Sequence, residues 1–302
     1  MFAVTILGNN SAIPTPDRHP TAQVITYNDQ LILVDCGEGT QMQLTRYKVR
    51  RSRIRHILIS HLHGDHYFGL IGLINSLSLL GRTDPLSVYG PPELEEIIQL
   101  QLRSAATVLK FDLQFHALLP ERTGLLFSEK DMEVHCFPTR HRIPCYGFSF
   151  SMQRRKRRLI PEQARVYDIP AAFFSRLQEG ADYQRKDGTL VKNDWVTLPP
   201  PKGKRYVYCA DSIYDEGLIP HIQGADLVYH EATYLHDLAQ RAADRYHSTS
   251  VQAATLALKA EAKRLLIGHF SSKYTELEPF LEESLPVFPH TELALEGVSY
   301  LV

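Results

Sequence analysis

The stretch His61-Leu62-His63-Gly64-Asp65-His66 places three imidazoles and a carboxylate directly after the apolar run 56–60. Imidazole nitrogen and carboxylate oxygen are the donors that zinc and similar divalent ions take, so four of them within six residues point to metal chemistry. Histidines at i and i+2 and an Asp-His pair at i+4 and i+5 do not easily surround a single ion. They suit halves of two neighbouring sites if the chain turns sharply, a turn that Gly64 permits. The bland alternative is a polar loop with three surface histidines. Against it stands the recurrence of donors in the same context: 131–138 is followed by His141, 205–210 runs into Asp211, and 264–268 ends at His269. In layered α/β folds, ligands gather beyond the carboxyl ends of strands, so these positions are expected to converge on one edge.

Those donors need strands and helices to hold them. Short β-rich runs at 2–7, 22–27 and 31–35, with Asn28-Asp29-Gln30 as a hairpin turn, are followed by strands at 56–60 and 86–89. The spacing of apolar residues predicts helices over 68–80 and 92–104. The second half predicts strands at 131–138, 145–151, 205–210, 226–230 and 264–268. Helices are expected at 249–260, capped by Ser248 or Thr249, and at 276–284. Strands and helices in both halves imply two packed sheets with helices outside.

Composition agrees with a globular α/β protein. The 302 residues are 44% hydrophobic and 22% charged with a formal net charge of -1, which excludes disordered, collagen-like and coiled-coil chains. No run approaches the ~18 consecutive apolar residues of a membrane span. The N-terminus lacks the charged region and cleavage site of a secretory signal. Cys36, Cys136, Cys145 and Cys209 sit mostly in apolar runs, as buried thiols of a reducing compartment do, so a cytoplasmic protein is expected. The charge is uneven, however: residues 153–204 hold 12 Lys/Arg against 6 Asp/Glu, opening with Arg154-Arg155-Lys156-Arg157-Arg158. A second acid-free cluster comprises Arg46, Lys48, Arg50, Arg51, Arg53 and Arg55. One such run reads as a solvated face; two in a nearly neutral chain favour a polyanionic partner.

The set His61, His63, Asp65 and His66 with His141, Asp211 and His269 resembles that of the metallo-β-lactamase fold superfamily. Within it the chain looks like ribonuclease Z, the tRNA 3′-processing endonuclease family. Two more specific features carry that resemblance: His230-Glu231-Ala232-Thr233 followed by His247-Ser248-Thr249, and the basic insertion between the third and fourth metal motifs. The resemblance implies an αβ/βα sandwich of two β-sheets with outer helices, a single metallo-hydrolase domain from 1–152 and 204–302, and a protruding tRNA-binding arm at 153–203. It implies two Zn2+ per subunit, or Mn2+ or another divalent ion. His61, His63 and His141 would hold one ion, Asp65, His66 and His269 the second, with Asp211 bridging. Such a pair acidifies a water and clamps an in-line phosphoryl displacement. Asp65 would accept a proton from that water, and His247, oriented by Glu231, would protonate the leaving 3′ oxygen. The competing reading has His247 capping the helix that begins near Ser248, with Glu231 in an unrelated ion pair.

The implied partner is precursor tRNA, bound by a homodimer whose arm acts across subunits, with no membrane. Candidate RNA contacts are Arg154, Arg155, Lys156, Arg157, Arg158 and Arg18. Backbone and shape recognition by such side chains suits folded RNA. Two departures from the family pattern bear on the substrate. Ile169-Pro170-Ala171-Ala172-Phe173-Phe174 stands where a Gly-Pro element is common, and Pro14-Thr15-Pro16-Asp17-Arg18-His19 replaces a PxKxRN loop. A small-molecule phosphodiesterase or arylsulfatase of the same fold would share the metal residues without needing the arm. A non-catalytic RNA-binding module would need the arm without the metal residues.

Overall fold

The structure, a computed structural model, describes residues 1–153 and 156–302. They group into two units: Met1–Leu126, Val134–Phe150 and Arg205–Val302 form one, and Phe127–Glu133 with Ser151–Lys204 the other.

A first mixed sheet of seven strands runs in the order Ser299–Leu301, Phe2–Gly8, Ala22–Tyr27, Gln30–Val34, Ile54–Leu58, Leu86–Gly90 and Leu113–Ala117. Pairing is antiparallel up to Gln30–Val34 and parallel beyond it. Leu31, Ile32, Leu33 and Val34 are all buried, the continuous apolar run expected of a strand covered on both faces. One cover comes from helices Thr40–Arg46, Leu70–Leu79 and Glu93–Ser104. Leu94, Ile98 and Leu102 recur every four residues along one helix face and join Leu33, Ile57 and Val88 in a single apolar cluster. The second sheet has the order Thr291–Leu293, Leu265–Gly268, Leu227–Glu231, Lys204–Cys209, Cys145–Met152, Met132–Thr139 and Gly124–Glu129. Helices Ser250–Lys259 and Glu278–Ser284 cover it through Ala253, Ala257 and Phe280, packed with Val228, Leu265 and Ile267. Inter-sheet contacts include two buried tyrosines, with Tyr206 Oη donating to Gln23 Oε1 at 2.5 Å and Tyr208 Oη to Asp35 Oδ2 at 2.6 Å.

Several local features refine the sequence reading. The helix expected over 68–80 begins at Leu70, after a separate turn of helix at Gly64–Tyr67. Gly69 marks the break: its amide donates to Cys36 O at 2.9 Å, and a Cβ there would lie 2.2 Å from Gly37 O. Of the two expected caps, Thr249 is the one in place; its hydroxyl accepts from Gln252 N, and the Gln252 side chain returns to Thr249 N. Strands Leu113–Ala117 and Gly124–Glu129 are additional to those expected, because they have no fully buried residue and so no apolar run to announce them. All four cysteines are buried and free, as expected from their apolar settings. No helix among the described residues is long and apolar enough to cross a membrane.

The second unit has a core of its own, where the sequence offers only weak periodicity. Ala164, Ile169, Leu177, Val191 and Val196 cluster in it, with Tyr167, Phe173, Phe174 and Tyr183 packed around them. Short helices Pro161–Val166, Phe174–Gln178 and Asn193–Val196 and two strand pairs supply most of these residues, with Tyr167, Ile169 and Phe173 from the connection between the first two helices. Asn193 ties them together: Nδ2 donates to Leu177 O and Ala181 O, both at 2.8 Å, and its amide to Asp182 Oδ1 at 2.7 Å. Elements of two to six residues are too short for a periodic pattern, so this core is hard to read from sequence.

Candidate metal centre

The expected convergence of strand ends is what the structure builds. Asp35 follows Gln30–Val34, His61 lies beyond Ile54–Leu58, His141 beyond Met132–Thr139, Asp211 beyond Lys204–Cys209, and His269 directly after Leu265–Gly268. Asp65 and His66 sit in the turn Gly64–Tyr67, whose N-cap is His63. Gly64 serves this turn through space rather than through an unusual φ, since a Cβ would lie 2.1 Å from the Phe68 ring. Asp35 and His269 have φ of 56° and 60°, the left-handed region that non-glycine residues rarely occupy.

Three groups of donors lie close enough to share an ion: His61, His63, His141 and Asp211; Asp65, His66 and His269; and Asp211, His247 and His269. Within the first group, His61 Nε2 is 3.0 Å from His63 Nδ1, and His141 Nε2 is 3.1 Å from the same atom. Within the second, His66 Nε2 is 3.3 Å from His269 Nε2, which is 3.4 Å from Asp65 Oδ2. Asp211 faces both groups, with Oδ2 3.7 Å from His61 Nε2 and Oδ1 3.5 and 3.3 Å from His66 and His269 Nε2.

Partners on the far nitrogens fix which atoms face inward. His66 Nδ1 donates to Asp35 Oδ2 at 2.8 Å, and His141 Nδ1 to Tyr246 O at 2.9 Å. His269 Nδ1 donates at 2.9 Å to Thr233 Oγ1, which itself donates to Glu231 Oε2 at 2.7 Å. His61 Nδ1 donates at 3.0 Å to Ser60 Oγ, whose proton goes to Asp35 Oδ2 at 2.9 Å. With these Nδ1 atoms protonated, the inward Nε2 atoms of the neutral rings carry lone pairs. Lone pairs facing one another at about 3 Å repel unless a cation lies among them, so the residues fit divalent ions by geometry as well as by donor type.

Protonation follows burial and neighbours. Burial, then the neighbouring His66, pushes His61 well below the ordinary histidine range, and burial with His141 nearby takes His63 down to about 4. Burial would raise Asp65 and Asp211; His66 and His269 outweigh it and hold both carboxylates below their usual range. His66 goes the other way: burial lowers it, but Asp211, Asp65 and Asp35 prevail and lift it well above normal, so a cation at this group takes the place of a proton. His247 Nδ1 donates to Glu231 Oε1 at 2.8 Å, with Asp211 Oδ2 at 3.9 Å. Burial opposes its protonation, and Glu231 and Asp211 overcome that to reach about 9. Glu231 is fully buried and also accepts from Ser212 N, Thr233 N and Thr233 Oγ1.

The candidate RNA contacts fall in different surroundings. Arg154 and Arg155 lie outside the described residues. Lys156 and Arg158 are exposed, whereas Arg157 donates to Thr197 Oγ1 at 2.7 Å and pairs with Asp194. Arg18 is half-buried and donates through Nη2 to Ser271 O and Tyr274 O. His19 of the same loop pairs with Glu296 at 2.9 Å, and the loop's Ala12 amide donates to Asp65 Oδ2 at 2.7 Å. The Pro14–His19 segment is thus braced against the protein next to the centre.

Asp35, Ser60, Thr233 and Tyr208 are the supporting residues that sequence reasoning passes over. Asp35 carries a usable signal, since it follows an apolar strand as Asp211 does; Ser60 and Tyr208 carry none. A cleft of about 380 Å3 opens over the centre, bordered by Ser11, Ala12, Arg142, Tyr234, Arg245 and Ser272 besides the donors.

A family model described as "Anti-Pycsar protein Apyc1" matches residues 2–160. The chain is 40% identical over 297 residues to a ribonuclease Z of Parabacteroides distasonis, covering 98% of each sequence. Its fold is similar to the crystal structure of human tRNase Z, short form (ELAC1), with a TM-score of 0.71, 29% identity and 98% of each chain covered. The metallo-beta-lactamase fold protein YhfI from Bacillus subtilis superposes with a TM-score of 0.70 at 20% identity over 99% of this chain and 98% of that one.

Proposed function

The chain belongs, over residues 2–160, to the family described as Anti-Pycsar protein Apyc1 and, over nearly its whole length, to the ribonuclease Z family, and we propose from this that it removes 3′ trailers from precursor tRNA. The reaction is phosphodiester hydrolysis that leaves a 3′ hydroxyl on the tRNA. The observation that carries it is the pair of donor groups facing Asp211 from two sides, beside a buried His247–Glu231 pair.

In this reading His61, His63 and His141 would hold one Zn2+ and Asp65, His66 and His269 the other, with Asp211, which faces both groups, serving the two. Bound there, two divalent ions would acidify a water and neutralise charge on the phosphate. Asp65 receives a proton from the attacking water, a role its depressed pKa suits only as a transient acceptor, and Ala12 N steadies it at 2.7 Å. His247 delivers a proton to the departing 3′ oxygen. Glu231 fixes its Nδ1 as donor and leaves Nε2–H for the substrate, and the raised pKa keeps that proton on at neutrality. Thr233 joins Glu231 to His269, so acid and metal donors are oriented by one hydrogen-bonded network.

Residues 153–203 act in this reading as the tRNA-binding arm, with Arg154, Arg155, Lys156, Arg157 and Arg158 as its RNA-facing candidates and Arg18, outside the arm, as a further one; the exposure of Lys156 and Arg158 supports the role for those two. The active form is a homodimer in which the arm of one subunit holds tRNA cut by the other. Support comes from Met42, Phe68, Leu79 and Leu80, which are 62–82% exposed on or beside packed helices Thr40–Arg46 and Leu70–Leu79, an unusual apolar surface for a monomer. Four free buried thiols support a cytoplasmic location.

The test is cleavage of a 3′-extended precursor tRNA before and after chelation. Activity lost on chelation and restored by Zn2+ or Mn2+ supports the proposal. Retained hydrolysis of a small phosphodiester with no RNA cleavage in any metal contradicts it.

A further inference from the structure

One metal donor and the proton donor are both tied to the end of a single short helix. Helix Ala239–Asp244 stops at Arg245, and the chain beyond it turns through Tyr246 into His247. His247 N donates to Ala242 O at 2.8 Å and Tyr246 N to Ala243 O at 3.1 Å, the paired bonds that close a helix on a left-handed residue. Tyr246 is that residue, with φ of 60°. Glycine fills such a position without strain, whereas any Cβ there crowds the following carbonyl, and a β-branched side chain fits worst.

Two functional groups depend on this turn. Tyr246 O accepts from His141 Nδ1 at 2.9 Å, which leaves His141 Nε2 facing the other donors of its group. The next residue, His247, carries the proton, and its ring centroid stands 5.3 Å from that of His141. Beyond it the chain is pinned again, where Ser248 Oγ donates to Ser212 O at 2.7 Å beside Asp211. Moving Tyr246 out of the left-handed region would swing its carbonyl away from His141 and break the bond from His247 N to Ala242 O. The Tyr246 side chain does not share that duty: it is 40% exposed, and its ring stands edge-on to His141 at 6.5 Å.

We propose that Tyr246 is a positioning residue acting through its backbone: its left-handed turn sets the metal-facing nitrogen of His141 and the proton-bearing ring of His247 as one unit. The inference rests on the precursor-tRNA reading for the role of His247, and adds a link between acid and metal donor that neither side chain makes alone. A displaced carbonyl would free His141 to rotate or to carry its proton on the inward nitrogen. Orienting partners of this kind govern metal affinity, and fixed geometry at the reacting groups governs turnover.

Tyr246→Gly, Tyr246→Asn, Tyr246→Ala and Tyr246→Val test this in order of falling tolerance for the left-handed region. Zn2+ affinity is read by competition with a chromophoric chelator. Rates on a 3′-extended precursor tRNA are taken at saturating Zn2+, well below each variant's Tm. Glycine and asparagine are the conservative replacements at this backbone and should hold affinity and kcat close to wild type. Alanine and valine should fall progressively, valine by ~10–100-fold in affinity and in kcat, with KM unchanged. Glycine as poor as valine would overturn the proposal, because the aromatic ring and not the turn would then matter. So would four variants that differ in Tm alone, since the turn would then support the fold and not the site. If valine does not fold, alanine against glycine makes the same comparison. A wild type that cuts no precursor tRNA would remove the tRNA reading, and the proposal would then stand or fall on the ranking of Zn2+ affinities.

Discussion

Each imidazole that faces the centre from His61, His66, His141 and His269 is turned by a partner one layer out, and those partners are where single substitutions are most informative. Asp35 Oδ1 accepts from Ser60 N, and its Oδ2 accepts from His66 Nδ1, Ser60 Oγ and Tyr208 Oη, so this one oxygen orients His66 directly and His61 through Ser60 and joins the two sheets. Asp35→Asn should leave the secondary structure intact but weaken metal affinity by ~10–100-fold, read by competition with a chromophoric chelator; an unchanged affinity would contradict the orienting role. His247→Ala should lower turnover of precursor tRNA by ~10²–10⁴. Its effect on bis(p-nitrophenyl) phosphate, whose leaving group departs without a proton, should be much smaller, and equal losses on both substrates would remove the acid assignment. The donors themselves were legible because His, Asp and apolar strands leave a pattern in one dimension. Thr233 stands in the same motif as Glu231, but its hydroxyl acquires meaning only when folding places it between Glu231 and His269.

At the scale of elements, strands were legible where both faces are buried and obscure where they are not. Gln30–Val34 and Leu265–Gly268 stand out as apolar runs, while Leu113–Ala117 alternates half-buried and exposed positions that any loop could match. Helix Ser250–Lys259 carries the donors' second sheet on one side, and its start is set by the Thr249–Gln252 capping box. Thr249→Ala should cost about 1 kcal/mol, measured as a lower urea midpoint at unchanged slope; a shift below ~0.2 kcal/mol would mean the cap is dispensable. The small core around Leu177 and Val196 gives the described residues from Leu159 to Val196 packing of their own. Replacing 153–203 by a short linker should cut precursor-tRNA cleavage steeply and spare small-diester hydrolysis. Equal loss of both activities would show that the segment supports the catalytic unit and not the RNA.

For the whole molecule, the fold brings donors spread from His61 to His269 into one centre, so any ion bound there bridges strands of both sheets. Ligand binding to the native state alone stabilises it by mass action. Chelation should therefore lower Tm, and returning Zn2+ should restore it in step with activity; a Tm indifferent to chelation would argue against ions at this centre. The fold class and the general chemistry were readable from residue types and spacing. The core of the second unit was not, because short elements far apart in pattern form it only in three dimensions.

The most direct test is to map both ends produced when the Zn2+-loaded protein cuts a 3′-extended precursor tRNA. The account predicts one cut after the last nucleotide of the acceptor end, with a 3′ hydroxyl on the tRNA and a 5′ phosphate on the trailer. A phosphate left on the tRNA would contradict it, because His247 and the metal donors would then be acting on the wrong oxygen.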